Sequence, residues 1–261
     1  EKTAYGYAPH NKSAEAAYAA ILIYPKLLKF VQTNKNETNK RLTLVWQQKA
    51  IASTLLFSEK FPQDIRVSSV LAKTIETLYE HKEYKRATQT ARLLLKNKTP
   101  SPSAPLDKRT AWIIIGHSEF ALANYTESEH AYKEVLRRTA TNSKLYKPIQ
   151  TRLEASIYKQ SELAKSEGKN DIAISHFLRL KNVTPNSPLL PTAEYDAATL
   201  LIKEGKLDQA SHILEKFRHT FKSKTELQQG VTEKLAFIYT ETKQHSKAAA
   251  EIEKLLKTKG D

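Results

Sequence analysis

Five small residues recur along this chain at a nearly constant interval: Ala87, Ser128, Ala173, Ala210 and Ala248, separated by 41, 45, 37 and 38 positions. Each stands shortly after a polar or glycine-bearing break and opens a segment whose apolar residues repeat with helical period. The clearest copy is Trp112-Ile-Ile-Ile-Gly116 through Ser128 to Tyr132. Trp112, Ile115, Phe120 and Leu122 suit a first helix, Asn124-Tyr125 is a corner, and a second helix is expected over 127–138. Gly116 sits in mid-helix, where glycine costs stability relative to alanine. A close crossing that leaves no room for a Cβ would explain it, with Ser128 small on the partner helix and Tyr132 filling the gap. A repeating unit of this kind cannot bury its apolar face alone, so neighbouring copies must stack.

The same layout is read four more times. Leu71 and Leu78 precede Tyr84, Ala87 and Leu93–Leu95; Ile157 and Tyr158 precede Gly168, Ala173 and Phe177; Ala198 and Leu201 precede Gly205, Ala210 and Phe217; Leu235 and Tyr239 precede Ala248 and Ile252. Pro62, Pro100 and Pro185 stop second helices. Segments 13–31 and 41–60 read as a divergent first hairpin joined by a polar linker, Gln32 to Lys40. The predicted division is therefore 1–62, one or more divergent helical hairpins, and 63–261, about five repeats, continuous with the first part. Composition agrees: 6 Gly and 10 Pro are too few for the corners of an all-β chain.

The order aromatic, apolar, small, turn glycine, small alanine, aromatic, proline resembles the tetratricopeptide repeat. Trp112, Ile115, Gly116, Ser128 and Tyr132 carry the likeness, as do Gly168, Ala173, Phe177 and Pro185. It implies an all-α superhelix of about five to six hairpins over roughly 65–258 and its approach. In that family first helices line a concave groove. The implied groove positions are Ala72, Glu76 and Tyr79; Ile113, His117 and Phe120; Tyr158, Glu162 and Lys165; Tyr195, Thr199 and Ile202; Glu233, Phe237 and Thr240. The expected partner-binding residues among them are Ile113, His117, Phe120, Tyr158, Glu162, Tyr195, Thr199 and Phe237. Aromatics among polar groups suit a peptide, since their rings give large contact for little lost entropy. Packing of these rings between adjacent hairpins is the alternative that the sequence leaves open. The carboxylate clamp of the chaperone-tail subclass is not matched: Ala72, Glu76, Ile114, Ala155 and Lys159 stand at its positions, and only Lys159 has a suitable charge.

Catalytic patterns are missing from the sequence. With no Cys there is no thiolate metal site, and no HExxH, GxGxxG or GxxxxGK occurs. Gly116-His117-Ser118-Glu119-Phe120 has Phe where a nucleophile elbow needs Gly. His212 and His219 are seven apart on one expected helix face, without an evident third ligand. The reading is a non-enzymatic protein-binding scaffold with no cofactor and no metal. A formal charge of +14 raises a second reading, nucleic-acid or anionic-surface binding through basic outer ridges at Lys85/Arg86, Lys96/Lys98, Arg137/Arg138, Lys144/Lys147, Arg179/Lys181 and Lys222/Lys224.

No apolar stretch approaches the ~20 residues of a membrane span. The start on Glu1 reads as a cut that removed any signal or anchor. The last apolar stripe, Ala248, Ile252 and Leu255, runs nearly into the end, so a longer array or self-association through this uncapped hairpin is expected. Phrases such as Phe57-Ser-Glu-Lys-Phe-Pro62 and Leu214-Glu-Lys-Phe-Arg-His-Thr-Phe221 resemble tetratricopeptide proteins of the Gram-negative envelope. That likeness implies a periplasmic or outer-membrane-associated assembly or processing complex, with the cytoplasm as the alternative location.

Overall fold

In the computed structural model, residues 1–6, 8, 10–32 and 37–258 are described, and their secondary structure is helical throughout. Two compact units divide the chain, Glu1–Arg138 and Thr139–Asp261. The first contains α1 (Lys2–Tyr5), α2 (Ser13–Gln32), α3 (Glu37–Lys60), α4 (Val67–Glu80), α5 (Tyr84–Lys96), α6 (Ala104–Ala121) and α7 (Tyr125–Arg137). The second contains α8 (Tyr146–Ser166), α9 (Asn170–Val183), α10 (Leu190–Lys203), α11 (Leu207–Thr220), α12 (Thr225–Glu241) and α13 (His245–Thr258). The helices pack as hairpins, α2 on α3, α4 on α5, α6 on α7, α8 on α9, α10 on α11 and α12 on α13, and first helices also meet across hairpins, α4 with α6 and α10 with α12. The all-α series of hairpins expected from the sequence is present. The 62/63 division drawn from sequence falls between α3 and α4, inside the first unit.

Five of the turns are one motif repeated. Lys82, Ala123, Gly168, Gly205 and Lys243 all have φ between 58° and 73°. The next residue returns its N–H to the carbonyl five positions back: Glu83 to Leu78, Asn124 to Glu119, Lys169 to Ala164, Lys206 to Leu201 and Gln244 to Tyr239, at 2.8–2.9 Å. The left-handed residue bonds three positions back, Lys82 to Tyr79 and Gly168 to Lys165 among them. This is the Schellman closure, which satisfies carbonyls that the helix end would leave open. Each recurrent small residue stands five positions after the left-handed one, one turn into the second helix. Ala87, Ser128, Ala173 and Ala210 are fully buried there. The interval seen in the sequence is therefore the interval between turns. Only two of the five turns use glycine; at Lys82, Ala123 and Lys243 a Cβ occupies a conformation costing about 1–2 kcal/mol.

The crossing inferred at Gly116 has the expected form. Ser128 Oγ donates to the Gly116 carbonyl at 2.9 Å, and a Cβ on Gly116 would stand 2.6–2.9 Å from three ring atoms of fully buried Tyr132. Two boundaries differ from expectation. The second helix of this hairpin starts at Tyr125 rather than 127, and α3 starts at Glu37, inside the linker expected over Gln32–Lys40. Thr38 and Lys40 are exposed on α3; a polar run looks the same on a solvated helix face as in a linker.

Candidate docking face on the first helices

In the second unit the expected binding positions occupy one stripe on each of three first helices. Tyr158 and Glu162 are four apart on α8, Tyr195 and Thr199 four apart on α10, and Glu233 and Phe237 four apart on α12, so each pair shares a face. Their environments differ. Tyr158 is half-buried, meets Phe177 edge-on at 5.3 Å, and donates its hydroxyl to Asp196 Oδ2 on α10 at 2.7 Å. Burial and the bond to Asp196 push its phenol well above the usual range, so it stays a protonated donor. Tyr195 is also half-buried. Its hydroxyl lies over Gly230 of α12, where any Cβ would collide with it, and the Lys234 ammonium stands 5.0 Å above its ring. Both tyrosines thus join one first helix to the next and expose only part of their rings.

Thr199 turns its hydroxyl back to the Tyr195 carbonyl at 2.9 Å. Glu162 is exposed and accepts from Lys159 at 2.6 Å. Phe237 is 49% exposed. In this unit the two tyrosines hold the joints between first helices, whereas the Phe237 ring on α12 stays about half open. The sequence missed Asp196, Gly230 and Lys234. Gly230 had a usable signal, since a mid-helix glycine had already marked a close approach at Gly116.

In the first unit Ile113, His117 and Phe120 stand half-buried on α6. His117 Nδ1 and the Tyr132 hydroxyl share a hydrogen bond of 2.6 Å, and the imidazole lies 5.8 Å from the Tyr79 ring of α4. Phe120 packs edge-on against Tyr125 at 5.2 Å. His117 is thereby a bridge between α4, α6 and α7 that satisfies the one polar atom of a buried tyrosine.

His212 and His219 line a common cleft of about 520 Å³ with Glu215, Lys216, Tyr239 and Lys247. Among the described residues no group of three or more His, Asp or Glu is arranged to hold a metal ion. The arginines of the expected basic ridges are paired with neighbouring side chains, although Arg137 and Arg138 stay exposed. Arg86 bonds Glu83 and Gln48. Arg137 and Arg138 converge on Glu134 and hold its carboxyl below the usual carboxylate range. Arg179 reaches His176 and Gln160, and Lys181 pairs with buried Glu194 at 3.2 Å. Lysines at 85, 96, 98, 144, 147, 222 and 224 remain exposed.

Comparison with known proteins adds the following. No family profile and no curated protein matches this chain. Solved structures that match over most of it include the crystal structure of YrrB, described as a TPR protein with an unusual peptide-binding site: 15% identity, 80% of this chain and 93% of that one, TM-score 0.38. The crystal structure of MamA matches at 16% identity over 74% of this chain and 99% of that one, TM-score 0.35. PilF of Pseudomonas aeruginosa matches at 14% identity over 93% of each chain, TM-score 0.35.

Proposed function

We propose that this chain is a non-enzymatic scaffold that captures protein or peptide partners on the first-helix face of its hairpins. The observation that carries the reading is the half-exposed Phe237 ring on α12, on the third of three successive first helices whose expected positions also include Tyr158 and Glu162 on α8 and Tyr195 and Thr199 on α10. An extended or helical peptide would seat an apolar side chain on Phe237 and align its polar groups with Glu162 and Lys159. Aromatic anchors of this kind dominate binding energy in interfaces. The test is selection of peptides from a random displayed library on the whole chain, followed by affinity measurement on variants. Phe237→Ala should weaken the selected peptides by about tenfold or more, with the melting curve unchanged. Peptides that bind this variant and Glu162→Lys as tightly as the parent would remove the face from consideration. Tyr158 and Tyr195 are poorer probes, because cutting either also loosens a helix joint.

The finer reading puts this scaffold in a bacterial envelope assembly or processing complex, periplasmic or associated with the outer membrane. Its supports are the envelope-like phrases around Phe57–Pro62 and Leu214–Phe221 and a composition with no cysteine, compatible with an oxidising compartment. No described helix is long and apolar enough to cross a membrane. Fractionation of the native cells should recover the protein with the periplasm or the membranes; recovery with cytosolic markers would count against this placement.

A further inference from the structure

The distal half of the α2–α3 hairpin exposes large apolar side chains on both of its helices. Leu22 and Ile23 on α2 and Leu42, Leu44 and Val45 on α3 are at least 40% exposed, and Phe30 is 76% exposed. The pairing of the two helices is fixed by rings facing across the hairpin, Tyr24 with Trp46 at 6.2 Å and Tyr18 with Phe57 at 6.3 Å. Phe57 and Ala17 belong to the buried core, at the end of the hairpin that packs against α4. Phe30, Leu42, Leu44 and Val45 lie beyond the Tyr24–Trp46 pair, away from that core, and Leu22 and Ile23 stand just inside it. At 1.5 Å per residue, Leu22 to Phe30 covers about 12 Å of helix.

Charge is equally one-sided. Between Glu15 and Glu59 the sequence has a single acid, Glu37, whereas Lys26, Lys29, Lys40, Arg41 and Lys49 interleave with the apolar residues. The Lys49 ammonium rests 4.7 Å over the Trp46 ring. Water is a poor solvent for such a patch, and a basic surface repels most basic partners. An anionic lipid interface satisfies both components, because apolar side chains enter the boundary between headgroups and acyl chains while Lys and Arg meet phosphate. A partner helix lying in a groove would call for one apolar stripe; here the exposed apolar groups are spread over two antiparallel helices, an arrangement that a fluid interface accepts without shape matching. None of the described helices can span a bilayer, so the contact is peripheral.

We infer that the distal α2–α3 hairpin is a peripheral membrane-docking element for anionic lipid, with Phe30 and Leu44 entering the interface and Lys26, Lys29 and Arg41 facing the headgroups. The residues of this surface differ from those of the first-helix face of the second unit, and its success or failure is independent of peptide binding.

The experiment is sedimentation of the whole chain with vesicles of phosphatidylcholine alone or mixed with phosphatidylglycerol. Binding is expected only with the anionic vesicles and should fall steeply as salt is raised, since the Debye length shrinks. The double variant Phe30→Ser/Leu44→Ser should lose about tenfold or more in vesicle affinity, because the buried apolar area supplies much of the attachment. Its helical content and melting curve should match the parent, as both side chains are exposed, and its affinity for selected peptides should not change. Phe237→Ser, an exposed ring elsewhere, should leave vesicle binding intact. The inference is overturned by equal or absent binding to both vesicle types, or by a double variant that sediments like the parent. It is also overturned if light scattering shows a parent dimer that the double variant converts to monomer, since a second copy would then cover the patch.

Discussion

Gly116→Ala should destabilise the first unit by about 2–3 kcal/mol, the upper part of the range for an overpacked core. The opposite sign would follow from helix propensity, which favours alanine over glycine by about 1 kcal/mol. The new Cβ would stand 2.6, 2.8 and 2.9 Å from Tyr132 ring carbons. Tyr132 has no easy retreat, being fully buried with its hydroxyl bonded to His117 Nδ1 at 2.6 Å. Nor can the backbones separate cheaply, because Ser128 Oγ ties α7 to the Gly116 carbonyl. Gly230 supplies the contrast: a Cβ there meets only the tip of half-buried Tyr195, which can swing outward, so Gly230→Ala should cost far less. Denaturant titration of both variants checks the pair. A neutral or stabilising Gly116→Ala would mean that the close crossing is not what retains this glycine.

The reason Gly116 was legible without coordinates also explains what was not. A glycine inside an apolar helical pattern, or a small residue at a fixed interval, reports a constraint local to one hairpin. Gly168 and Gly205 likewise announce left-handed turns, whereas Lys82, Ala123 and Lys243 adopt the same conformation with side chains that give no sign of it. Those three became findable only because Ala87, Ser128 and Ala248 keep the same five-residue offset. For the docking face, periodicity placed Tyr158, Tyr195 and Phe237 on first helices but could not say how much of each ring a neighbour would take. That share is set 35–38 positions downstream, by Asp196 against Tyr158 and Gly230 against Tyr195. The arginines of the outer ridges show the same limit. Charge can be counted along a sequence, but whether Arg138 faces solvent or closes on Glu134 depends on rotamer and turn geometry.

Arg218→Met should destabilise the second unit by about 3 kcal/mol at neutral pH, the cost of leaving one partner of a buried ion pair alone. Arg218 holds Glu251 through two bonds, 2.8 and 2.6 Å, and reaches Thr232 at 3.4 Å, so one guanidinium links α11, α12 and α13. The Glu251 side chain is only 7% exposed. Burial alone would raise its pKa, but hydrogen bonds from Arg218 and from Lys254 outweigh that and hold it below the ordinary carboxylate range. Glu215, Lys216, His219 and Lys247 line the same cleft, and their fields act on both proteins compared. A carboxylate depressed in the folded state contributes stability above its unfolded pKa, about 4.3, and loses it as pH falls through the folded value. The parent should therefore weaken below about pH 4.5. In Arg218→Met the balance at Glu251 tips toward burial, its pKa rises, and acid now relieves the buried charge. The stability gap between the two proteins should accordingly narrow on going from pH 7 toward pH 4. Arg218→Met/Glu251→Met should recover most of the loss at neutral pH, since well-packed apolar pairs commonly replace buried ion pairs at little cost. Denaturant melts of the three proteins at both pH values decide the matter, and a gap that stays constant with pH would show that Arg218 supports α13 by packing rather than by neutralising Glu251.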